Sequence, residues 1–149
     1  MHQPLERATG TLKATIIGSG NRIGELYQKG SSRLFFPKNF SKTMECVLVN
    51  TAGGITGGDK FKCSIKASEE SSILVTTQAS EKVYRAINGS AEVETQLSIS
   101  KNSKLVWLPQ DTILFSRSNL SRKIITIHWH SRSIAYLIFL SHRTRQAFH

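Results

Sequence analysis

Two stretches of this chain alternate in steps of two, and that period constrains the fold more than any other feature. Over residues 60–66, Phe61, Cys63 and Ile65 fall on one face and Lys60, Lys62, Ser64 and Lys66 on the other. Over residues 91–99, Ala91, Val93, Thr95, Leu97 and Ile99 alternate with Glu92, Glu94, Gln96 and Ser98. Successive side chains of a strand point to opposite faces, so this pattern marks half-buried strands rather than helices. Shorter apolar runs at residues 46–49, 73–77, 104–108, 112–115 and 123–127 read the same way, separated by polar turns at 67–72 and 100–103. Pro109 closes the 104–108 run because it has no N–H to give a ladder. The expected fold is all-β, a sandwich, barrel or stack, with at most one or two short helical turns. Residues 79–87 are the segment expected to supply them. A weak resemblance between residues 65–78 and 99–110, offset by about 34 residues, suits hairpins stacked on one another.

Between two of the strands lies a loop with paired glycines, Gly53, Gly54, Gly57 and Gly58, closed by Asp59. A phosphate-binding loop needs Lys and then Ser or Thr after its last glycine, and Asp59 stands there instead. The dinucleotide pattern is absent too, and no helix is expected to follow. The glycines are expected to hold a turn that side chains would block.

At 149 residues, with 39% apolar and 20% charged residues, the chain suits one soluble domain. Its longest apolar run, residues 134–140, is too short to span a bilayer and is an uncharged, aggregation-prone window. The N-terminus lacks the apolar stretch of a secretion signal, so a cytoplasmic location and reduced Cys46 and Cys63 are expected. Both cysteines sit in strand segments, where a buried thiol behaves as a small hydrophobe.

The formal charge of +10 would suggest a polyanionic partner, but residues 112–149 hold six of the twenty Lys and Arg and none of the ten acids. Four of the five histidines lie there as well. The basicity therefore belongs largely to one terminal segment, and a basic β-domain binding nucleic acid is the alternative reading rather than the leading one. Catalytic patterns are missing: there is no His-Glu-x-x-His, Cys-x-x-Cys or Gly-x-Ser-x-Gly. His128 and His130 would share one strand face, and two nitrogens do not close a metal site. The polar cluster Thr76, Thr77, Gln78, Lys82, Tyr84 and Arg85 reads either as a capped strand end beside a cationic surface or as an enzyme site lacking a nucleophile. Trp107 and Phe115 read as core residues, since they lie in apolar strands rather than among lysines.

Three blocks in order carry a more specific signal: the glycine loop ending at Asp59, then Thr76, Thr77 and Gln78 leading to Lys82, Tyr84 and Arg85, then Trp107, Pro109, Gln110 and Asp111 with Ile113 and Phe115. In that order and spacing the chain resembles the urease accessory protein D family. Residues 10–12, 26–28 and 33–37 look like that family's opening strands, whereas Glu81 stands where a small or hydroxyl residue is usual. The resemblance implies an all-β scaffold of stacked, helix-like sheets with a few helices, no enzymatic activity and no permanently bound cofactor. It also implies a scaffold or metallochaperone role in building the nickel centre of urease, with accessory proteins F and G on apo-urease, and no nucleic-acid or membrane partner. Nickel would pass transiently, and Asp59 and Asp111 are the motif carboxylates expected to line or orient its route, unless Asp59 caps the glycine turn and Asp111 fixes the loop after Pro109.

The resemblance divides the chain into a family-like part, residues 1–127, and an atypical basic, His-rich tail, residues 128–149. Members of the family continue into a second half with Gly-Arg and Met-Gly-Glu signatures, which this tail lacks. A frame slip or early stop is the expected origin of the tail. The fold is then expected to be incomplete, and the chain to be an inactive fragment or to need a partner for solubility.

Overall fold

The computed structural model describes residues 6–129 and 133–137. Twelve strands are found among them: β1 (Thr9–Ile17), β2 (Arg22–Gly30), β3 (Ser32–Phe35), β4 (Met44–Asn50), β5 (Lys60–Ala67), β6 (Ser72–Thr77), β7 (Glu81–Val83), β8 (Ala91–Ile99), β9 (Lys104–Leu108), β10 (Thr112–Leu114), β11 (Leu120–His128) and β12 (Ile134–Leu137). No helical residue occurs among the described residues. The all-β expectation is met, and the helical turn expected at residues 79–87 is corrected. Its centre is β7, held as a strand by parallel pairing with β10, whose partner residues lie some thirty positions downstream.

The strands form three walls. One sheet runs β11-β8-β5-β1-β2, a second runs β12-β9-β6-β4-β3, and β10 pairs with β7 in the third. From β5 onward the chain visits the first sheet, the second and the third in turn, then repeats. Parallel neighbours need a long crossover, and here the other two walls supply it. Lys60 pairs with Glu92 and Ser72 with Lys104, the same 32-residue offset in both sheets. The faint repeat is therefore present at an offset of 32 rather than about 34, and it is not a pair of hairpins: Ile65 lies beside Leu97 in parallel register, as one coil upon the next. Antiparallel β2 and β3 finish the N-terminal end of the stack.

The turns repeat with the coils. Ser68 to Ser71 and Ser100 to Ser103 make equivalent corners, each with a non-glycine residue in left-handed conformation, Glu70 at φ 62° and Asn102 at φ 56°. The Ser103 hydroxyl donates to Ala67 O at 3.2 Å, tying one corner to the next. Alternation is obeyed in β5, where Phe61, Cys63, Ile65 and Ala67 are buried while Lys60, Lys62 and Lys66 are exposed, and it fails at the end of β8, where Ser98, expected on the outer face, is buried too. The main core fills the space between the two large sheets, around Leu12, Ile16, Ile65, Val75, Leu97 and Leu105. A second, smaller core of Ile55, Phe61, Val83 and Ala91 lies under the third wall. Trp107 is buried in the main core, as its apolar strand implied.

Candidate functional site

The three separated sequence blocks meet on the third wall. Ile55 of the glycine loop bridges to Val83 in parallel, and Val83 pairs with Leu114 of β10, so each block contributes one rung of a single stack. Backbone bonds lock the rungs: Ile55 N donates to Lys82 O at 2.8 Å, Tyr84 N to Ile55 O at 2.7 Å, and Phe115 N to Val83 O at 3.0 Å. Strand alternation sends Val83 inward to the small core and leaves Lys82 and Tyr84 facing out. Tyr84 stacks on Phe115 with ring centroids 5.2 Å apart and planes 18° from parallel. Arg85, Gln110 and Asp111 are exposed. Phe115 thus belongs to the wall's surface rather than to either core.

Side chains at the corners tie coil to coil. Thr77 Oγ1 accepts the Gln110 N–H at 2.9 Å, and Gln78 N donates to Leu48 O at 3.1 Å. Thr56 Oγ1 donates to Arg85 O at 2.9 Å, while Glu81 N donates to Asp111 O at 2.9 Å. The Thr76–Arg85 cluster is thus built into the coil, with Lys82, Tyr84 and Arg85 left as its outward groups.

The glycine loop is shaped by close approach. A Cβ on Gly57 would lie 2.6 Å from Asn88 O and 2.8 Å from Gly89 O, so only hydrogen fits there. Gly58 holds φ 92°, a region that L side chains rarely adopt. Gly54 lies against the Tyr84 ring, and Gly53 is exposed at the loop tip. Asp59, only 3% exposed, closes the loop: its Oδ1 accepts Ala8 N–H at 2.9 Å and its Oδ2 accepts Thr56 N–H at 2.8 Å. Both carboxylate oxygens are thereby engaged by backbone amides. Asp111 is exposed and lies on the loop after Pro109.

Behind the wall lie two adjoining cavities of about 180 and 90 Å³. They share Leu48, Thr77, Glu81, Val93 and Thr95, so they form neighbouring parts of one space between the sheets. The larger is bounded by Asn50, Gln78, Ser80 and Glu94, together with Cys63. Trp107 borders the smaller, and its Nε1–H has no acceptor among the described residues. Room and polarity together make this a space that admits water. Asp59 and Asp111 are not among the residues lining either cavity.

Sequence reasoning missed one polar contact here. Arg122 of β11 forms an ion pair with Glu81 and donates through Nη1 to Thr112 Oγ1 at 2.8 Å. Glu81, the residue that departs from the expected pattern, was the available signal; its partner is brought close only by the stacking of β11 on β8.

The cysteines take no part in chemistry at the wall. Burial pushes the Cys63 thiol up to about 12, and burial, aided by the charge of Glu45, does the same for Cys46. Both stay protonated at neutral pH and are poor nucleophiles and poor metal ligands. Ellman's reagent is expected to leave both thiols unreacted in the folded chain at pH 8 and to count two after denaturation. Their contribution to stability is fully present below the ordinary value of 9.0 and is lost as pH rises from 9 towards 12. Fast native labelling would show that a strand has been misplaced.

Among the described residues no three His, Cys, Asp or Glu side chains cluster as a metal site, and no helix is long and apolar enough to cross a membrane. His128 Nδ1 lies 3.2 Å from Ser133 Oγ. His130, the other half of the histidine pair, lies outside the described residues, as does most of the 128–149 segment.

Comparison with known proteins finds a family model, described as UreD urease accessory protein, that matches residues 6–145. A urease accessory protein UreD of Rhizobium leguminosarum bv. trifolii is 45% identical over 115 residues, covering 77% of this chain and 42% of the relative. A Brucella suis UreD is 42% identical over 123 residues, covering 81% of this chain and 44% of the relative. The chain therefore spans less than half the length of these curated relatives.

Proposed function

The chain belongs to the UreD urease accessory protein family, and from that premise we propose that it serves urease maturation in the cytoplasm. In this reading it is a non-catalytic scaffold and metallochaperone that acts with accessory proteins F and G on apo-urease while nickel is delivered. The observation that carries the reading is the convergence of the three sequence blocks on one wall. A surface assembled from three successive coils has a purpose beyond any single turn, and its outward groups suit protein contact. Lys82 and Arg85 offer charge, and the stacked Tyr84 and Phe115 offer a rigid aromatic anchor of the kind enriched in binding hot spots.

The cargo chemistry fits the space behind the wall. A borderline cation passes through a protein when water is replaced by weak, exchangeable oxygen ligands rather than by a closed cage. The larger cavity offers amide, hydroxyl and carboxylate oxygens from Asn50, Thr77, Gln78, Ser80 and Glu81. Asp111, exposed beside the wall, is proposed as a contact for the ion or for urease. Asp59 acts on the route by positioning, since it holds the loop that closes the wall.

Nickel content of urease tests this. In cells where this chain is the only UreD-type protein, urease is expected to carry nickel, and Asp111→Ala is expected to reduce the loading while the accessory complex still forms. Normal loading with Asp111→Ala would sink the role given to Asp111. Nickel-free urease with the unaltered chain would sink the maturation reading itself.

A further inference from the structure

The two large sheets present opposite outer faces. On the first, Lys60 and Lys62 of β5 stand beside Glu92 and Glu94 of β8, and Lys60 pairs with Glu92 at 3.9 Å. That face is charged and suits water. On the second, the register aligns Phe35, Val47, Thr76 and Leu108 in one outward row and Glu45, Leu74, Val106 and Tyr136 in the next. Val47, Leu74, Val106 and Leu108 pack into neither core. Phe35 is 55% exposed and Tyr136 49%. Five strands at about 4.8 Å spacing make this a mainly apolar strip about 19 Å across, broken by Glu45 and Thr76.

We propose that this face binds a second copy of the chain, sheet against sheet, about a two-fold axis running along β6. The face itself selects that occupant. A two-fold along β6 lays β4 of one copy over β9 of the other and β3 over β12. Val47 then meets the partner's Leu108, Leu74 meets its own counterpart, and Phe35 lies one row, about 7 Å along the strand, from the partner's Tyr136. Packed sheets sit about 10 Å apart with interdigitating side chains, which these residues fill.

Charge points the same way. The three central strands, β4, β6 and β9, carry two outward charged side chains, Glu45 and Lys104. They have opposite signs and lie on the strands that the axis exchanges. In the pair, Glu45 stands over β9 two residues along from the partner's Lys104, about 7 Å, within reach of a lysine stem. Lys104 Nζ already lies over this face, 5.4 Å from the Tyr136 ring centre. The contact is independent of the role in urease maturation.

Sedimentation velocity of the full chain across a concentration series tests the proposal, with circular dichroism confirming that each variant is folded. The unaltered chain is expected to show a reversible monomer–dimer equilibrium. Glu45→Lys and Lys104→Glu alone are each expected to weaken it about tenfold, because two symmetry-related pairs become repulsive at once. The double swap is expected to return it to within about twofold. A monomer at every concentration, a dimer indifferent to the single swaps, or a double swap as weak as the singles would overturn the proposal. So would capture of an accessory protein on this face in place of the second copy.

Discussion

Asp59→Ala is expected to remove about 3 kcal/mol of folding stability, because two charge-assisted hydrogen bonds to buried backbone amides disappear together. The carboxylate spans two parts of the chain: one oxygen holds Ala8 at the entry to β1, the other holds Thr56 within the glycine loop. Its removal leaves both amides without partners in a site that is 3% exposed. The damage spreads along the stack, since Asp59 O accepts the Glu92 N–H at 2.9 Å where the next coil begins. Asp59→Asn keeps one acceptor oxygen and turns an NH₂ towards the other amide, so about half of the loss is expected. Urea denaturation read by tryptophan fluorescence compares the three. If Asp59→Ala unfolds at the same urea concentration as the parent, the clamp assigned to this residue is wrong.

The second large effect is expected at Gly57. A methyl group placed there by Gly57→Ala meets two backbone carbonyl oxygens and the Ala86 methyl, all closer than 3.0 Å. Carbonyls cannot rotate away as a long side chain can, so the loop must part from the 86–89 segment, at about 2–3 kcal/mol. The bond from Gly58 N to Ser90 O, at 3.1 Å, is the next contact to loosen. Gly54→Ala is the informative contrast. Its new methyl meets mainly the Tyr84 ring, an exposed side chain that can turn aside. Stability should change little there, while the stack of Tyr84 on Phe115 should be lost. Equal destabilisation by both substitutions would mean that the loop is packed differently.

Much of this architecture was legible wherever one strand face is buried and the other wet. Residues 60–66 and 91–99 show that pattern because their inner side chains meet the two cores and their outer ones, Ser98 apart, face away from them. β2 was legible only through the family resemblance, since it ends the stack and is exposed along nearly all its length, which erases alternation. β7 is three residues long and exists because β10 and the glycine loop flank it, so nothing within residues 79–87 announces a strand. The coil repeat is weakly written because its identity lies in register and turn geometry rather than in matched letters. Ser68 and Ser71 recur as Ser100 and Ser103, whereas the left-handed residue between them is Glu in one corner and Asn in the other. The site shows the same division. The motif residues could be named in advance, but their assembly as three rungs, and the Glu81–Arg122 pair, follow from stacking over some thirty residues and have no local signal.

The central proposal is that the wall built from these three rungs binds the other urease accessory proteins. The most direct measurement is co-purification of accessory proteins F and G on the tagged chain, compared with a Lys82→Glu and Arg85→Glu double variant. Both substituted side chains are exposed, so the fold, checked by circular dichroism, should be unaffected. The account predicts that the unaltered chain retains F and G and that the double variant retains at least about tenfold less, the effect of losing an interfacial charge contact. No retention by the unaltered chain, or equal retention by the folded variant, would contradict it.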